Sequence, residues 1–143
     1  MGPHPELAEL TASDLGHRLA AGDLTSAELV QMSIGRISAL DRDMTHSVIE
    51  LNPDAPEIAR RLDFERRRGR VRGPLHGLPV LVKDNIDTGD GMLTTAGSLA
   101  MTGAPALRDA PLVARLRRAG AGATGSPVKN MRVVRLPPAT TPP

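Results

Sequence analysis

A single lysine at the end of an apolar segment is the residue of this chain whose setting points most directly to chemistry. Val80, Leu81 and Val82 are followed by Lys83, and a polar loop begins at Asp84. Apolar residues of this kind, rich in valine, predict a buried strand. Side chains alternate along a strand, so Leu81 and Lys83 are expected to share one face while Asp84 points away from the lysine.

A lysine in such a strand is costly to bury unless it is paired or neutral, which makes Lys83 the leading candidate for a catalytic group. Burial disfavours the ammonium form of a lysine and lowers its pKa. A neutral amine then serves as a general base or activates a hydroxyl nucleophile. A plainer interpretation stays open, in which the lysine stem lies on apolar surface and its amine reaches water.

A loop of small residues follows the lysine segment. It reads TTAGS from Thr94 to Ser98, and small residues let the backbone approach a ligand closely. Ser98 is therefore a candidate substrate contact. An ordinary loop containing glycine and serine explains the same composition equally well, so both interpretations stay open.

Composition excludes several classes of site. The chain has 143 residues, a net charge of +2 and no cysteine, so disulfides, thiolate metal sites and a thiol nucleophile are excluded. Phe64 is the only aromatic residue, and we do not expect a nucleic-acid partner because base stacking is essentially unavailable. The aspartates after the lysine lack the spacing of a calcium loop, so no metal is predicted. They are Asp84, Asp87, Asp90 and Asp109.

No apolar run approaches the roughly 18 residues of a membrane helix, and the first residues lack a secretory pattern. A soluble, cytoplasmic protein is therefore expected.

Basic residues are concentrated in the second half of the chain, and the run from Arg66 to Arg72 is interpreted as a solvated helix end. A patch that binds phosphate or nucleic acid is the alternative.

Helical periodicity and capping residues predict the elements that position Lys83. The second helix opens with a capping box at Thr25, the third follows a cap at Asp54, and the fourth follows a cap at Asp109. The predicted helices run from Ala12 to Ala21, from Thr25 to about Leu40, from Ala55 to about Arg68, and from Asp109 to Arg118 with Leu112, Val113 and Leu116 buried. A short strand is predicted at Ser47 to Leu51. This order of helices and strands indicates an α/β fold in which helices cover a sheet.

Together these segments resemble the amidase signature family over most of residues 7 to 119. The matching segments are LTASDLGHRLAAGDLTSAELV, GPLHGLPVLVKDNIDT, the TTAGS loop and DAPLVARLRRAGA. The resemblance implies a mixed central sheet wrapped by helices, and a Ser-(cis-Ser)-Lys triad in which Lys83 is the base. It also implies a small carboxamide or amide-linked substrate and a reaction that needs no cofactor. The glutaminase subunit of a tRNA-dependent amidotransferase is an alternative within the family.

The resemblance weakens after about Gly120. The family pattern next requires an apolar strand, whereas the chain reads GATGSPVKNM from Gly122. We therefore expect an N-terminal portion of an amidase domain at residues 1–119 and an aberrant, proline-rich, basic tail without fixed structure at residues 120–143. Neither serine of the triad has a match, and Ser126 lacks a base and an oxyanion cradle.

The sequence accordingly predicts an inactive, truncated amidase, derailed by a frameshift or a premature end. Two alternatives stay open: a distinct short homologue, and a non-catalytic piece that binds a partner through exposed apolar surface.

Overall fold

The computed structural model describes residues 9–41, 44 and 46–122, and all structural statements refer to this part of the chain. The predicted basic tail lies almost entirely outside it. The α-helices of the described residues are α1 (Ala12–Ala21), α2 (Ser26–Leu40), α3 (Ala55–Arg67) and α4 (Pro111–Arg118), and a 3-10 turn spans Leu99–Met101.

Reciprocal capping boxes start the first two helices, as predicted. Thr25 Oγ1 accepts a hydrogen bond from the Glu28 amide at 3.1 Å, and the Glu28 carboxylate accepts one from the Thr25 amide at 2.9 Å. Thr11 and Asp14 form the same arrangement at the start of α1. Local sequence therefore satisfies the amides that a helix start leaves without partners.

Helices α2 and α3 pack against each other through small and branched side chains. Val30 of α2 is buried with Ala55 and Ala59 of α3. Asp63 of α3 also accepts hydrogen bonds from the backbone amides of Ser26, at 2.7 Å, and Ala27, at 3.0 Å. The carboxylate of one helix thus completes the first turn of the other.

The segment that leads to Lys83 is anchored on α1 and α2. Leu78 is buried in a cluster with Leu19 and Leu29. The amide of Gly77 donates to the Gly120 carbonyl at 2.8 Å, and the amide of Gly122 donates to the Leu78 carbonyl at 2.6 Å. Residues 120–122 therefore run beside the start of the lysine segment.

The predicted strands are much shorter than expected in the described part of the chain. Within the segments 47–51 and 80–83, β-bridges are confined to Glu50 and Val82. A strand requires a neighbouring backbone along its length to satisfy its amides and carbonyls. Since the described residues supply one at only a few positions, the mixed central sheet remains a prediction.

The predicted cap at Asp54 is confirmed in position only, and the predicted cap at Asp109 is wrong. Asp54 occupies the capping position of α3, but its side chain makes no capping hydrogen bond. Helix α4 begins at Pro111 after Ala110 instead of following a cap at Asp109. Both helices have a proline in the first turn, where a backbone N–H has no intrahelical partner to lose.

The buried side of α4 also differs from the prediction. Val113 is fully buried, whereas Leu112 is 51% exposed and Leu116 is half-buried. Helical spacing identifies a possible apolar stripe, but the burial of each position depends on what packs against it. Of the three residues of α4 predicted to be buried, only Val113 faces a fully packed interior among the described residues.

Candidate active site

Lys83 lies between two inward-facing residues at the end of its segment. Val82 is 3% exposed and Asp84 is 2% exposed, whereas the side chain of Lys83 is exposed. The predicted alternation of side chains is confirmed over these three positions. The predicted burial of Lys83 is wrong for the described part of the chain, because the inward positions on either side send the lysine to a face that these residues leave open.

Asp84 joins the end of the lysine segment to the TTAGS loop. Its carboxylate accepts hydrogen bonds from the amides of Thr95, at 3.2 Å, and Gly97, at 3.3 Å, and from the Thr95 hydroxyl. The Asp84 carbonyl also accepts one from the amide of Ala96 at 3.2 Å. Sequence analysis gave Asp84 no such role, although the alternation that directs Lys83 outward also directs Asp84 inward.

Ser98 lies at the end of this loop and is exposed. Its amide donates to the Thr95 carbonyl at 2.8 Å. Ser98 lines a cavity of about 310 Å³ whose wall also includes Glu50, Asp84, Thr95 and Leu99. The structure thus brings Ser98 and Asp84 to one cavity, while Lys83 lies outside its lining.

The loop between Lys83 and α4 is fastened to that helix by an arginine. Arg117 of α4 donates to Asp90 at 3.1 Å and to Asp109 at 2.9 Å. Asp109 also accepts from the amide of Gly89 at 2.7 Å. Two of the aspartates considered for a metal site therefore bind an arginine, and no group of three or more candidate metal ligands occurs among the described residues.

His76 connects α3 to the start of the lysine segment. Its side chain is 2% exposed, its Nδ1 accepts from the amide of Arg72 at 3.2 Å, and its Nε2 is 3.0 Å from the Leu62 carbonyl. Because a carbonyl only accepts, the proton is assigned to Nε2. Sequence analysis missed His76, since its partners are fixed by tertiary packing.

The arginine-rich end of α3 has internal partners as well. Arg66 donates to the His76 carbonyl at 2.6 Å, and Arg72 forms an ion pair with Glu65. The hydrogen bond from Arg72 lowers the pKa of the Glu65 carboxyl below its ordinary value. These contacts give part of the run a structural role at the helix end.

Known proteins that are similar to this chain include amidases and an amidotransferase subunit. A family model described as Amidase matches residues 28–128. A glutamyl-tRNA(Gln) amidotransferase subunit from Chloroflexus aurantiacus is 40% identical over 121 residues, which cover 84% of this chain and 24% of that protein. None of the described helices is long and apolar enough to cross a membrane.

The solved structures that are similar to this chain are amidases as well. The native peptide amidase from Stenotrophomonas maltophilia matches with 50% identity and a TM-score of 0.77, over 87% of this chain and 24% of that one. An amidase family protein from Bacillus anthracis str. Ames matches with 35% identity and a TM-score of 0.79, over the same shares. The chain thus spans about a quarter of the length of these proteins. Because the family model covers most of the chain and these folds superpose on it, the chain belongs to the amidase family.

Proposed function

We propose that this chain carries the base and part of the substrate cavity of an amidase that hydrolyses a carboxamide C–N bond with a Ser-(cis-Ser)-Lys triad. Lys83 is the base in this proposal. The observation that carries it is the placement of Lys83 between two buried neighbours, Val82 and Asp84, one of which also holds the TTAGS loop. A base held beside a substrate loop by a rigid anchor is what such chemistry requires.

In the proposed reaction the neutral Lys83 amine accepts a proton through the bridging serine, while the second serine attacks the carbonyl carbon. The C–N bond breaks, the nitrogen leaves as ammonia or an amine after taking up a proton, and water hydrolyses the acyl-enzyme. The proposed substrate is a small carboxamide or an amide-linked metabolite. A peptide amidase relative that was solved with the competitive inhibitor chymostatin supports amides as the substrate class.

We also propose that the 143-residue chain alone has no turnover. An exposed lysine is solvated, so a base role for Lys83 requires a surface that covers it. The two serines have no matching positions among the segments that resemble the family. The direct test is release of ammonia from simple amides by the purified chain. Hydrolysis that is abolished by Lys83→Ala would contradict the proposed inactivity.

The base role itself is tested in an exchange of segments. Residues 7–119 replace the corresponding segment of the Stenotrophomonas peptide amidase, and kcat is measured with and without Lys83→Ala. Loss of a general base is expected to lower kcat by about 10²- to 10⁴-fold. Arg18→Ala, which removes an exposed cation from α1, is the control and is expected to leave kcat unchanged. An active exchange protein that keeps its kcat after Lys83→Ala would refute the role.

Two other functions have specific support. The relative from Chloroflexus aurantiacus supports a glutaminase subunit of a tRNA-dependent amidotransferase, and a preference for glutamine over simple amides in the exchange protein would favour it. A non-catalytic, partner-binding piece is supported by large apolar side chains at the surface, including Leu99 at 89% exposure. A defined complex in size-exclusion chromatography, as opposed to an aggregate, would favour that function.

A further inference from the structure

We infer that Asp84 is a positioning residue of this site, whose buried carboxylate holds the Thr94–Ser98 loop in place and fixes the direction in which Lys83 projects. The importance of that direction rests on the proposed function of Lys83. The hydrogen bonds that carry the inference do not depend on it.

The side chain of Asp84 is buried. At 2% exposure its carboxylate has almost no contact with water. A buried carboxylate is costly unless hydrogen-bond donors satisfy both oxygens. Here the donors are the amides of Thr95 and Gly97 and the hydroxyl of Thr95. They come from a loop eleven to thirteen residues away, so the bonds tie two separate segments together.

The backbone of the Thr94–Ser98 loop has a left-handed conformation at two consecutive residues. Ala96 has a φ of 49° and Gly97 has a φ of 79°. The left-handed region is unfavourable for alanine, and such a residue persists where surrounding contacts hold it. The amides on either side of Ala96 both donate to Asp84, and its own amide donates to the Asp84 carbonyl. Asp84 therefore supplies the contacts that stabilise this backbone.

Asp84 also restricts the backbone of Lys83, which directly precedes it in the chain. The two residues are adjacent in the chain, and Lys83 is exposed whereas Asp84 is buried at the start of a turn that is closed by a hydrogen bond from the Ile86 amide to the Lys83 carbonyl at 3.0 Å. With Val82 buried on one side of the lysine and Asp84 fastened on the other, the backbone at Lys83 has little freedom to rotate. Thr95, Gly97 and Ser98 of the loop line the cavity together with Asp84 itself. One carboxylate therefore positions this part of the cavity wall as well as the backbone next to Lys83.

A purely structural role is the competing explanation, and Asp63 provides the matched control. Asp63 is also buried, at 7% exposure, and also accepts two backbone amides through its carboxylate. It joins α2 to α3, and both of these amide donors belong to α2 instead of the TTAGS loop. Asp84→Asn and Asp63→Asn therefore remove equivalent charges at two different places.

The test compares the full 143-residue chain with these two variants by amide hydrogen exchange and by carbon-13 NMR of methylated lysines. Lys83 and Lys129 are the only lysines of the chain, so methylation labels two side chains and the α-amino group, and the signal that is lost in Lys83→Arg is assigned to Lys83. Asp84→Asn is expected to accelerate exchange at residues 95–97 by about tenfold or more, as for loss of a hydrogen bond to a charged group. It is also expected to shift the Lys83 signal and leave Lys129 unchanged. Asp63→Asn is expected to affect the amides of Ser26 and Ala27 and to leave the Lys83 signal in place.

Equal acceleration throughout the helices, or an unchanged loop and Lys83 signal in Asp84→Asn, would overturn the inference. If Asp84→Asn does not fold, Thr95→Val and Thr95→Ser provide a second test, because only the valine removes the hydroxyl donor to Asp84. Exchange is then measured at the amides of residues 95 and 96, because the Thr95 hydroxyl also accepts from the Gly97 amide. Faster loop exchange in the valine variant alone is the expected result, and equal exchange in both contradicts it. None of these measurements needs turnover, so they remain valid if Lys83→Ala retains activity in the exchange protein.

Discussion

Gly77 opens the segment that leads to Lys83, and its lack of a side chain is a requirement of the packing. Its φ is 88°, and a Cβ atom there would be 2.1 Å from the hydroxyl oxygen of the buried Ser26. Gly77→Ala is expected to destabilise the chain by about 2–4 kcal/mol, because backbone strain and overpacking add. Urea unfolding measures this. Gly35→Ala in α2 is the control, since nothing lies within 4 Å of that position.

The control is expected to behave in the opposite way. Alanine is favoured over glycine inside a helix by about 1 kcal/mol, so Gly35→Ala should stabilise the chain. A Gly77→Ala variant as stable as Gly35→Ala would show that the segment moves to accommodate the methyl group, and that Gly77 does not fix its position.

Glu65 makes stability depend on pH. The hydrogen bond from Arg72 lowers the pKa of Glu65 from its ordinary value of 4.5. The stabilisation is therefore present above pH 4.5 and is lost as the pH falls through the lower pKa of the folded state. We expect Glu65→Gln to cost about 0.5–1 kcal/mol at pH 7 and to cost progressively less below pH 4.5.

Urea unfolding at several pH values tests this pH dependence. Glu57→Gln is the control, because the ion pair of Glu57 with Arg60 is largely exposed and is expected to contribute little at any pH. A difference between wild type and Glu65→Gln that stays constant from pH 7 to pH 3 would contradict the assigned role of Arg72.

At the scale of elements, His76 joins α3 to the lysine segment. His76→Ala removes a buried ring and leaves the Leu62 carbonyl and the Arg72 amide without their partner. We expect a loss of about 2–4 kcal/mol in unfolding free energy. His17→Ala, at an exposed position on α1, is expected to change stability by less than about 0.5 kcal/mol. Equal effects of the two substitutions would show that His76 carries no connection between the elements.

Helix boundaries were predictable where the deciding residues are local. The bounds of α1 agree with the prediction because the Thr11 capping box and Gly22 lie within one turn of its ends. The cap at Asp109 was wrong because its carboxylate binds the Gly89 amide and Arg117, and α4 begins at Pro111. Asp54 lies at the predicted capping position of α3 but makes no capping hydrogen bond. The strands were overpredicted for a similar reason, since an apolar segment indicates burial but does not provide a backbone partner.

In the candidate site, too, the features set by neighbouring residues were predictable, whereas contacts between distant residues were not. The sequence placed Lys83 at the end of its segment and opposite Asp84, because alternation is local. It did not reveal the bonds of Asp84 to Thr95, or of His76 to Leu62, which join residues eleven and fourteen positions apart. The exposure of Lys83 depends on whatever covers that face, and no local pattern specifies that.

At the scale of the whole molecule, the exposed apolar side chains are expected to cause self-association. Leu99 is 89% exposed, Leu107 is 102% exposed and Leu112 is 51% exposed, and exposed apolar surface promotes association. We expect light scattering after size exclusion to show a mass that rises with concentration. Replacing Leu99 and Leu107 by serine should shift the chain towards a monomer with little change in its unfolding midpoint, because these two side chains bury little area, and replacing Leu112 as well adds only the loss of its buried half. Leu19→Ser, at a fully buried position, should instead unfold the chain. A monomer at every concentration tested would show that these side chains do not drive association, and would weaken the case for a partner-binding piece.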